Sequence, residues 1–440
     1  MATSISKSKW NGDEVNQHTS NNSTMLLSYA ERKSEHEVLQ HHPAQYTSFY
    51  KKGKNSNRLY FGDNLDVLSA LKQDEKIAGH IELIYIDPPF ATGGVFKSRT
   101  QDDAYTDLLQ GASYIEFLRQ RLILLRELLS KTGSIYVHLD SKMVFAIKII
   151  MDEIFGENSF RNLISRKKSN PKNYTRKTYG NISDYILFYT KTDNYTWNRP
   201  FEPWTKEQAK KEYQYIDKKT GKRYKKVPVH APGTRNGETG KPWRGKMPPP
   251  GKHWQYTPTK LEAMDQRGEI YWSPTGNPRR KIFLENSRGK AIQDIWLDTK
   301  DAHNQNIRVT GYPTEKNQIL LERIVKASSN PGDIVLDCFS GSGTTLVAAN
   351  KLDRNWIGVD NSPRAISTIL KRFLFGSDIM GDFVSKEKEK RPQISMFDSQ
   401  NNTPQRKANH QPILEFSLFC EKKTEQEKKD YIENWLKVLE

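Results

Sequence analysis

Apolar positions along the chain fall into two blocks of alternating strand-like and helix-like runs, residues 58–160 and the region from about residue 310, separated by a long stretch with neither period. In the first block, residues 81–86 read as a short buried strand that stops at Asp87-Pro88-Pro89, because consecutive prolines cannot continue a ladder. Tyr114, Phe117, Leu118, Arg121, Leu122 and Leu125 recur at helical spacing and predict a helix over 114–129, closed by Lys131 and Gly133. A strand over 134–139, a helix over 143–155 ending near Gly156, and a strand over 184–189 follow. The second block predicts a helix over 318–328, a buried strand over 333–336, a glycine turn, a helix over 344–352, a strand over 356–359 and a helix over 366–375. The first 45 residues are rich in Ser, Asn, Gln and His with little periodicity, which predicts disorder or a loosely docked arm. The tail from Lys386 is polar, with an amphipathic helix over 431–439, and there is no internal repeat. Strands alternating with helices predict an α/β fold.

A length of 440 residues allows two or three domains with a substantial core. Cys338 and Cys420 are too few for a disulfide framework or a four-Cys zinc site, so no metal is expected, and His41 and His42 read as solvated. With no secretory signal and no apolar run near the roughly 20 residues of a membrane span, the chain reads as cytoplasmic.

The net charge of +17 changes the picture because it is concentrated. Residues 161–290 carry 30 Lys plus Arg against 11 Asp plus Glu, a net of +19, leaving −2 for the rest. The same stretch holds Trp197, Trp204, Trp243, Trp254 and Trp272, ten of the 20 Tyr and 12 of the 21 Pro. Aromatics interleaved with cations fit a nucleic-acid surface better than a disordered tail, since cations neutralise phosphates and rings stack on bases. Composition does not separate DNA from RNA.

Two loops carry candidate chemistry. Asp337-Cys338-Phe339-Ser340-Gly341-Ser342-Gly343-Thr344 follows a strand and opens a helix, a turn that lets a ligand approach the backbone. No Lys follows Gly343, which excludes a P-loop, and Leu346 stands where a dinucleotide fingerprint needs its third glycine. A second acid, Asp360, ends the next strand 23 positions after Asp337, placed to accept hydrogen bonds from ribose hydroxyls. Ribose recognition without a phosphate clamp fits S-adenosyl-L-methionine. The other loop is Asp87-Pro88-Pro89-Phe90, also at a strand end, where open α/β sheets place their functional crevice. Asp87 and the Pro88 carbonyl can each accept a hydrogen from an exocyclic amine, and Phe90 offers a face to a base. Drawing both hydrogens away turns the nitrogen lone pair toward an electrophilic methyl group.

Together with Leu59-Tyr60-Phe61-Gly62-Asp63-Asn64, the helix from Tyr114 to Leu122, and Gly133-Ser134-Ile135-Tyr136-Val137-His138-Leu139-Asp140, these motifs resemble the β-class DNA amino methyltransferases over residues 58–375. In that group the catalytic motif precedes the cofactor motif, and the modification subunits of type III-like restriction systems share the layout. The resemblance implies a circularly permuted, Rossmann-like fold with a mixed seven-stranded sheet. It further implies a flexible arm over 1–50, a catalytic half over 58–191, a basic target-recognition domain over 192–303, a cofactor half over 304–380, and a C-terminal linker and helix over 381–440. By matching motifs, Asp337, Phe339, Gly341, Gly343 and Thr344 contact S-adenosyl-L-methionine, Asp360 its ribose, Asp63 its adenine side, and Thr314 and Lys316 its methionine end. Asp87, Pro88, Pro89 and Phe90 are catalytic, and Asp-Pro-Pro-Phe favours adenine over cytosine. Cys338 replaces a common Pro, Phe90 a common Tyr, and Asn317 a frequent Pro; none of these removes a group the chemistry needs.

The expected reaction is direct methyl transfer to the amine of an adenine flipped from duplex DNA, with no cysteine nucleophile. Arg235, Asn236, Arg244, Arg279 and Arg280 are candidate DNA contacts. The resemblance allows a cognate restriction endonuclease and a homodimer, and a bacterial or archaeal DNA-associated setting. A cytosine-N4 methyltransferase, an RNA methyltransferase and a non-catalytic DNA-recognition subunit stay as alternatives.

Overall fold

The computed structural model describes residues 25–53, 57–89, 95–97, 103–106, 111–171, 177–301, 308–309, 315–379 and 411–439; Phe90, Thr314 and most of the expected C-terminal linker lie outside them. The chain divides into two compact units, one comprising Met1–Asn198 with Asp294–Glu440 and the other Arg199–Gln293.

The first unit is built on a ten-stranded sheet. Its strands in chain order are β1 (Tyr46–Lys51), β2 (Arg58–Phe61), β3 (Ile81–Ile86), β4 (Leu129–Leu139), β5 (Phe160–Lys167), β6 (Ser183–Thr190), β7 (Ile295–Trp296), β8 (Ile334–Asp337), β9 (Asn355–Asp360) and β10 (Ser417–Glu421). They lie in the order β1-β10-β2-β9-β8-β3-β4-β6-β5-β7. The seven central strands from β2 to β5 are the expected mixed sheet, parallel except for β6, which runs antiparallel to β4 and β5. The sheet is wider than expected because β10 adds parallel to β2, β1 caps β10 antiparallel, and β7 adds to β5.

Helices α1 (Glu35–Leu39), α2 (Asn64–Gln73), α3 (Gly111–Leu128), α4 (Val144–Phe155), α5 (Gln318–Ser328), α6 (Thr344–Lys351), α7 (Pro363–Phe375) and α8 (Glu425–Leu439) accompany the sheet. Every residue of β3 is buried, and α3 buries Leu118, Leu122 and Leu125 in the same core, each contributing about 1.5–3 kcal/mol. On the other side α7 buries Ile366, Ile369, Leu370 and Phe373, the last against Trp356 and Phe416.

The described part of the N-terminal arm is docked, and more firmly than expected. From residue 25 it docks, through Tyr29 to Glu116 (2.6 Å), Glu35 to Arg126 (2.5 Å) and His41 to Asp66 (2.6 Å), and then supplies β1. The final helix is an intramolecular clasp: Lys428 donates to the Phe61 carbonyl (2.9 Å), and Trp435 meets Phe375.

The second unit is smaller than the expected 192–303. Residues 194–198 and 294–301 belong to the first unit because Thr196 N donates to Thr132 O (3.1 Å), Asn198 N to Ala327 O (2.7 Å), and Ser165 N to Asp294 O (2.8 Å). Its core is Val229, Trp243, Trp254, Leu261, Met264 and Ile270, with Tyr256 and Trp272 packed against it. A four-stranded antiparallel sheet orders Tyr215–Ile216, Arg223–Pro228, Pro278–Phe283 and Ile270–Trp272. This unit carries 22 Lys plus Arg against 9 Asp plus Glu, a net of +13, so the chain's positive charge is not all on the insert.

Candidate active site

Four neighbouring parallel strands, β2, β9, β8 and β3, each reach an acid at their end or within two residues of it: Asp63, Asp360, Asp337 and Asp87. The strand order turns here, since the chain passes from β8 outward to β9 but from β3 the other way to β4. That is where an open α/β sheet leaves a crevice beyond its carboxyl ends.

The glycine turn is fixed by two of these acids. Asp337 accepts from Phe339 N (3.0 Å) and from the Thr345 hydroxyl (2.5 Å), and Asp360 accepts from Gly341 N (2.8 Å) and Ser362 N (2.9 Å). Burial pushes Asp337 up to about 7, against the two bonds it accepts, and Asp360 up to about 6. Gly341 and Gly343 have φ of +50° and +72°, and a Cβ on Gly343 would lie 2.9 Å from Ile369 Cγ1. Thr344 is buried, and its hydroxyl accepts from Arg372 (2.8 Å), which also reaches the Ser342 carbonyl and Glu315 (both 3.2 Å).

Asp63 caps α2 through Leu65 N (2.8 Å) and lies 3.4 Å from Arg121. Arg121 is buried, stacks 3.6 Å over the Phe117 ring and donates to Asn64, which in turn donates to the Cys338 carbonyl (2.8 Å). Phe117 lies 6.1 Å from Phe339. Asp63, Phe117, Arg121 and Phe339 thus edge the crevice together.

At the tip of β3, Asp87 Oδ2 lies 2.6 Å from Lys316 Nζ, while its Oδ1 is buried and receives no hydrogen bond from a described residue. His138 Nδ1, on β4, is 3.9 Å from Oδ1 and 2.8 Å from the Tyr85 hydroxyl. Behind His138, its Nε2 lies 3.0 Å from Asp184 on β6, which Arg166 on β5 holds through two bonds of 2.8 Å. Burial alone would raise Asp184, but His138 and Arg166 outweigh it and hold the carboxyl well below the usual range.

The structure therefore brings Asp63, Asp87, Pro88, Pro89, Lys316, Asp337, Phe339, Gly341, Gly343, Thr344 and Asp360 to one end of one sheet. Phe90 and Thr314 lie outside the described residues. Of the residues expected at the cofactor, Lys316 pairs with Asp87 and the Thr344 hydroxyl accepts from Arg372. Asn64, Arg121 and His138 stood within the motifs but were given no part in the site; Asp184, Arg166, Glu315 and Arg372 carried no local signal.

In the second unit, Arg235 and Asn236 are exposed, as is Arg279. Arg280 is turned to the packed side, donating to the Tyr256 hydroxyl (2.8 Å). Arg244 is bound within the unit: Glu262 takes its Nε (2.8 Å) and Nη2 (2.6 Å), and Asp265 its Nη1 (2.6 Å), so it braces the unit.

A doubly wound sheet with a glycine turn, an acid at the next strand tip and Asp-Pro-Pro across the crevice defines a nucleoside-cofactor enzyme acting on an amine. The comparisons with known proteins agree: the DNA methylase family signature spans residues 81–371, and the chain belongs to that family. It is 44% identical to the type II methyltransferase M.EcaI of Enterobacter cloacae over 407 residues, covering 91% of this chain and 88% of that protein. It is 29% identical to the StyLTI Mod subunit, a type III restriction-modification component of Salmonella typhimurium, covering 68% of this chain and about half (51%) of that subunit. Among solved structures, the cytosine-N4-specific PvuII DNA methyltransferase aligns at 15% identity with a TM-score of 0.43, over 78% of this chain and 93% of that one. Among the described residues, no helix is long and apolar enough to cross a membrane.

Proposed function

We propose that this DNA methyltransferase methylates the exocyclic amine of adenine in duplex DNA, the base being flipped out of the helix and the transfer direct. The observation that carries the reading is the Asp87 carboxylate, with one oxygen anchored by Lys316 and the other buried, without a hydrogen-bond donor among the described residues, beside the glycine turn. A buried acceptor without a donor costs about 1–3 kcal/mol, which a hydrogen bond from a substrate amine would offset.

The residues fit S-adenosyl-L-methionine as methyl donor. Gly341 and Gly343 keep the turn free of side chains, Asp360 supports it from β9 and presents its carboxylate to ribose hydroxyls, and Asp63 and Phe339 edge the adenine side. When bound, the cofactor supplies an electrophilic methyl group on a sulfonium. Asp87 Oδ1 accepts one amine hydrogen and the Pro88 carbonyl the other, which orients the nitrogen lone pair out of the ring plane. The chemistry the cofactor would supply is transfer of that methyl to the oriented lone pair, the N–C bond forming as the S–C bond breaks, with the proton shed by the methylated nitrogen passing to bulk water. Lys316 fixes the carboxylate through Oδ2, so Oδ1 keeps its aim. The second unit is the target-recognition domain, Arg235, Asn236 and Arg279 its candidate contacts.

The StyLTI Mod subunit, named as part of a type III restriction-modification enzyme, extends the reading to a cognate endonuclease as partner, and a homodimer is proposed beside it. Copurification and solution mass test these two. The activity is tested by incubating the full chain with labelled S-adenosyl-L-methionine and plasmid DNA and digesting to nucleosides. N6-methyladenine is the expected product; N4-methylcytosine, or label in RNA only, would overturn the assignment.

A further inference from the structure

The second unit's four-stranded sheet has two unlike faces. By register, Ile270 and Arg280 share the face that packs on the Trp243, Trp254 and Leu261 core, where Arg280 bonds Tyr256. The register pairs Tyr215 with Tyr224, Lys226 with Lys281, and Arg279 with Tyr271 and Pro228, so these side chains occupy the opposite face. A groove of about 580 Å³ on the sheet is lined by Tyr215, Lys226, Tyr271 and Arg279, with the Glu212–Lys225 ion pair alongside. The Lys226 ammonium lies between two rings, 3.6 Å from the Tyr215 centroid and 3.5 Å from that of Tyr271.

The cations here are not equivalent. Lys225 is paired with Glu212 (2.7 Å) and Lys281 with Asp217 (2.7 Å), whose carboxyl that bond lowers to about 2. Lys226 and Arg279 face no carboxylate within ion-pair distance among the described residues. A face that only needed solvation would have no reason to clamp an uncompensated lysine between aromatic rings, one of them 40% exposed. Two rings fix the ammonium's position while leaving its charge unneutralised, which suits a fixed anion of a polymer.

Resting on the DNA methyltransferase reading, we propose that this face grips the sugar–phosphate backbone of duplex DNA, Lys226 and Arg279 each taking a phosphate and Tyr215 and Tyr271 packing against the sugars. The unit's +13 charge supplies complementarity and long-range attraction. Each phosphate contact contributes a slope of about −0.9 in log affinity against log salt, equivalent to about 5-fold at 0.15 M salt and about 30-fold for the pair.

The test measures binding of a fluorescein-labelled 40-base-pair duplex to the full chain by anisotropy across a salt series. Lys226→Ala/Arg279→Ala is compared with Lys206→Ala/Lys210→Ala, which removes two exposed lysines from the Lys206–Glu212 helix. Both pairs change charge equally, and S-adenosyl-L-methionine binding and circular dichroism monitor the fold. The expected result is about a 30-fold loss and a slope shallower by about 2 for the first pair, with a clearly smaller loss for the second. Arg279→Glu alone should weaken binding more than Arg279→Ala. Equal losses for the two pairs, an unchanged slope, or preferential binding of duplex RNA through this face would overturn the proposal. Plasmid methylation by the wild type, measured in parallel, separates the outcomes: a wild type that methylates DNA while the variants bind normally leaves the activity standing and removes only this surface.

Discussion

Asp184→Asn removes the charge at the centre of a polar chain that crosses four adjacent strands, from Tyr85 on β3 through His138 and Asp184 to Arg166. His138 is fully buried, and Arg166 and Asp184 are each 1% exposed, so no water replaces what is lost. Arg166 would keep Asp301 (2.5 Å) and the Thr299 carbonyl (3.0 Å), but lose its two bonds to a charged carboxylate. Breaking one side of a buried ion pair costs about 3–5 kcal/mol; Asn keeps the shape and one acceptor, which places the expected loss near 3 kcal/mol. The sign with pH follows from the depressed carboxyl. Its stabilisation is full above the unfolded value of about 4 and is lost as pH falls below it, so wild type and variant should converge in acid and differ most at neutral pH. Urea unfolding measures the size, and native-state hydrogen exchange on the β4, β5 and β6 amides locates it in the first unit. A loss under about 1 kcal/mol at pH 7, or a difference that widens in acid, would mean that the Asp184 charge does not hold this chain together.

Other consequences follow from the same geometry. Asp360, pushed up to about 6 by burial, must be ionised to accept ribose hydroxyls well, so affinity for S-adenosyl-L-methionine should rise as pH increases through 6. Titration calorimetry should show Asp360→Asn binding weakly with that rise removed, any residual dependence coming from Asp337, which burial pushes up to about 7. Gly343→Ala places a Cβ at positive φ and 2.9 Å from Ile369 Cγ1, and should cost at least about 1–2 kcal/mol of stability and weaken cofactor binding. Lys316→Met frees the second oxygen of Asp87 and should lower the methylation rate constant more than it changes DNA affinity, read from single-turnover kinetics.

Much of the catalytic sheet was legible in the sequence because its signals are local. The Ile81–Ile86 strand is a continuous apolar run cut by prolines, and the turn after Asp337 is marked by glycines that the backbone requires at positive φ. The edge strands β1 and β10 were not legible, being short segments held by pairing with partners more than 350 residues away. The arm's firm docking was not legible for a related reason: ion pairs such as Glu35–Arg126 leave no periodicity. The buried chain behind Asp87 takes one polar residue from each strand, and each of them, read alone, looks like an ordinary interruption of an apolar run. Arg244 shows what composition hides, a cation in a basic region paired with two nearby acids. The charge reading survives in a narrower form, since part of the +19 stretch belongs to β5, β6 and their connection in the first unit.

Methyl transfer in this structure rests on Asp87 presenting an acceptor to the amine of a target adenine. The direct measurement is single-turnover methylation of duplex DNA by wild type and Asp87→Ala, with labelled S-adenosyl-L-methionine and nucleoside analysis of the product. A hydrogen bond to a charged acceptor is worth about 1.5–3 kcal/mol, so the rate constant for N6-methyladenine formation should fall about 10- to 150-fold while cofactor affinity holds. Methylation by Asp87→Ala at the wild-type rate would contradict the account.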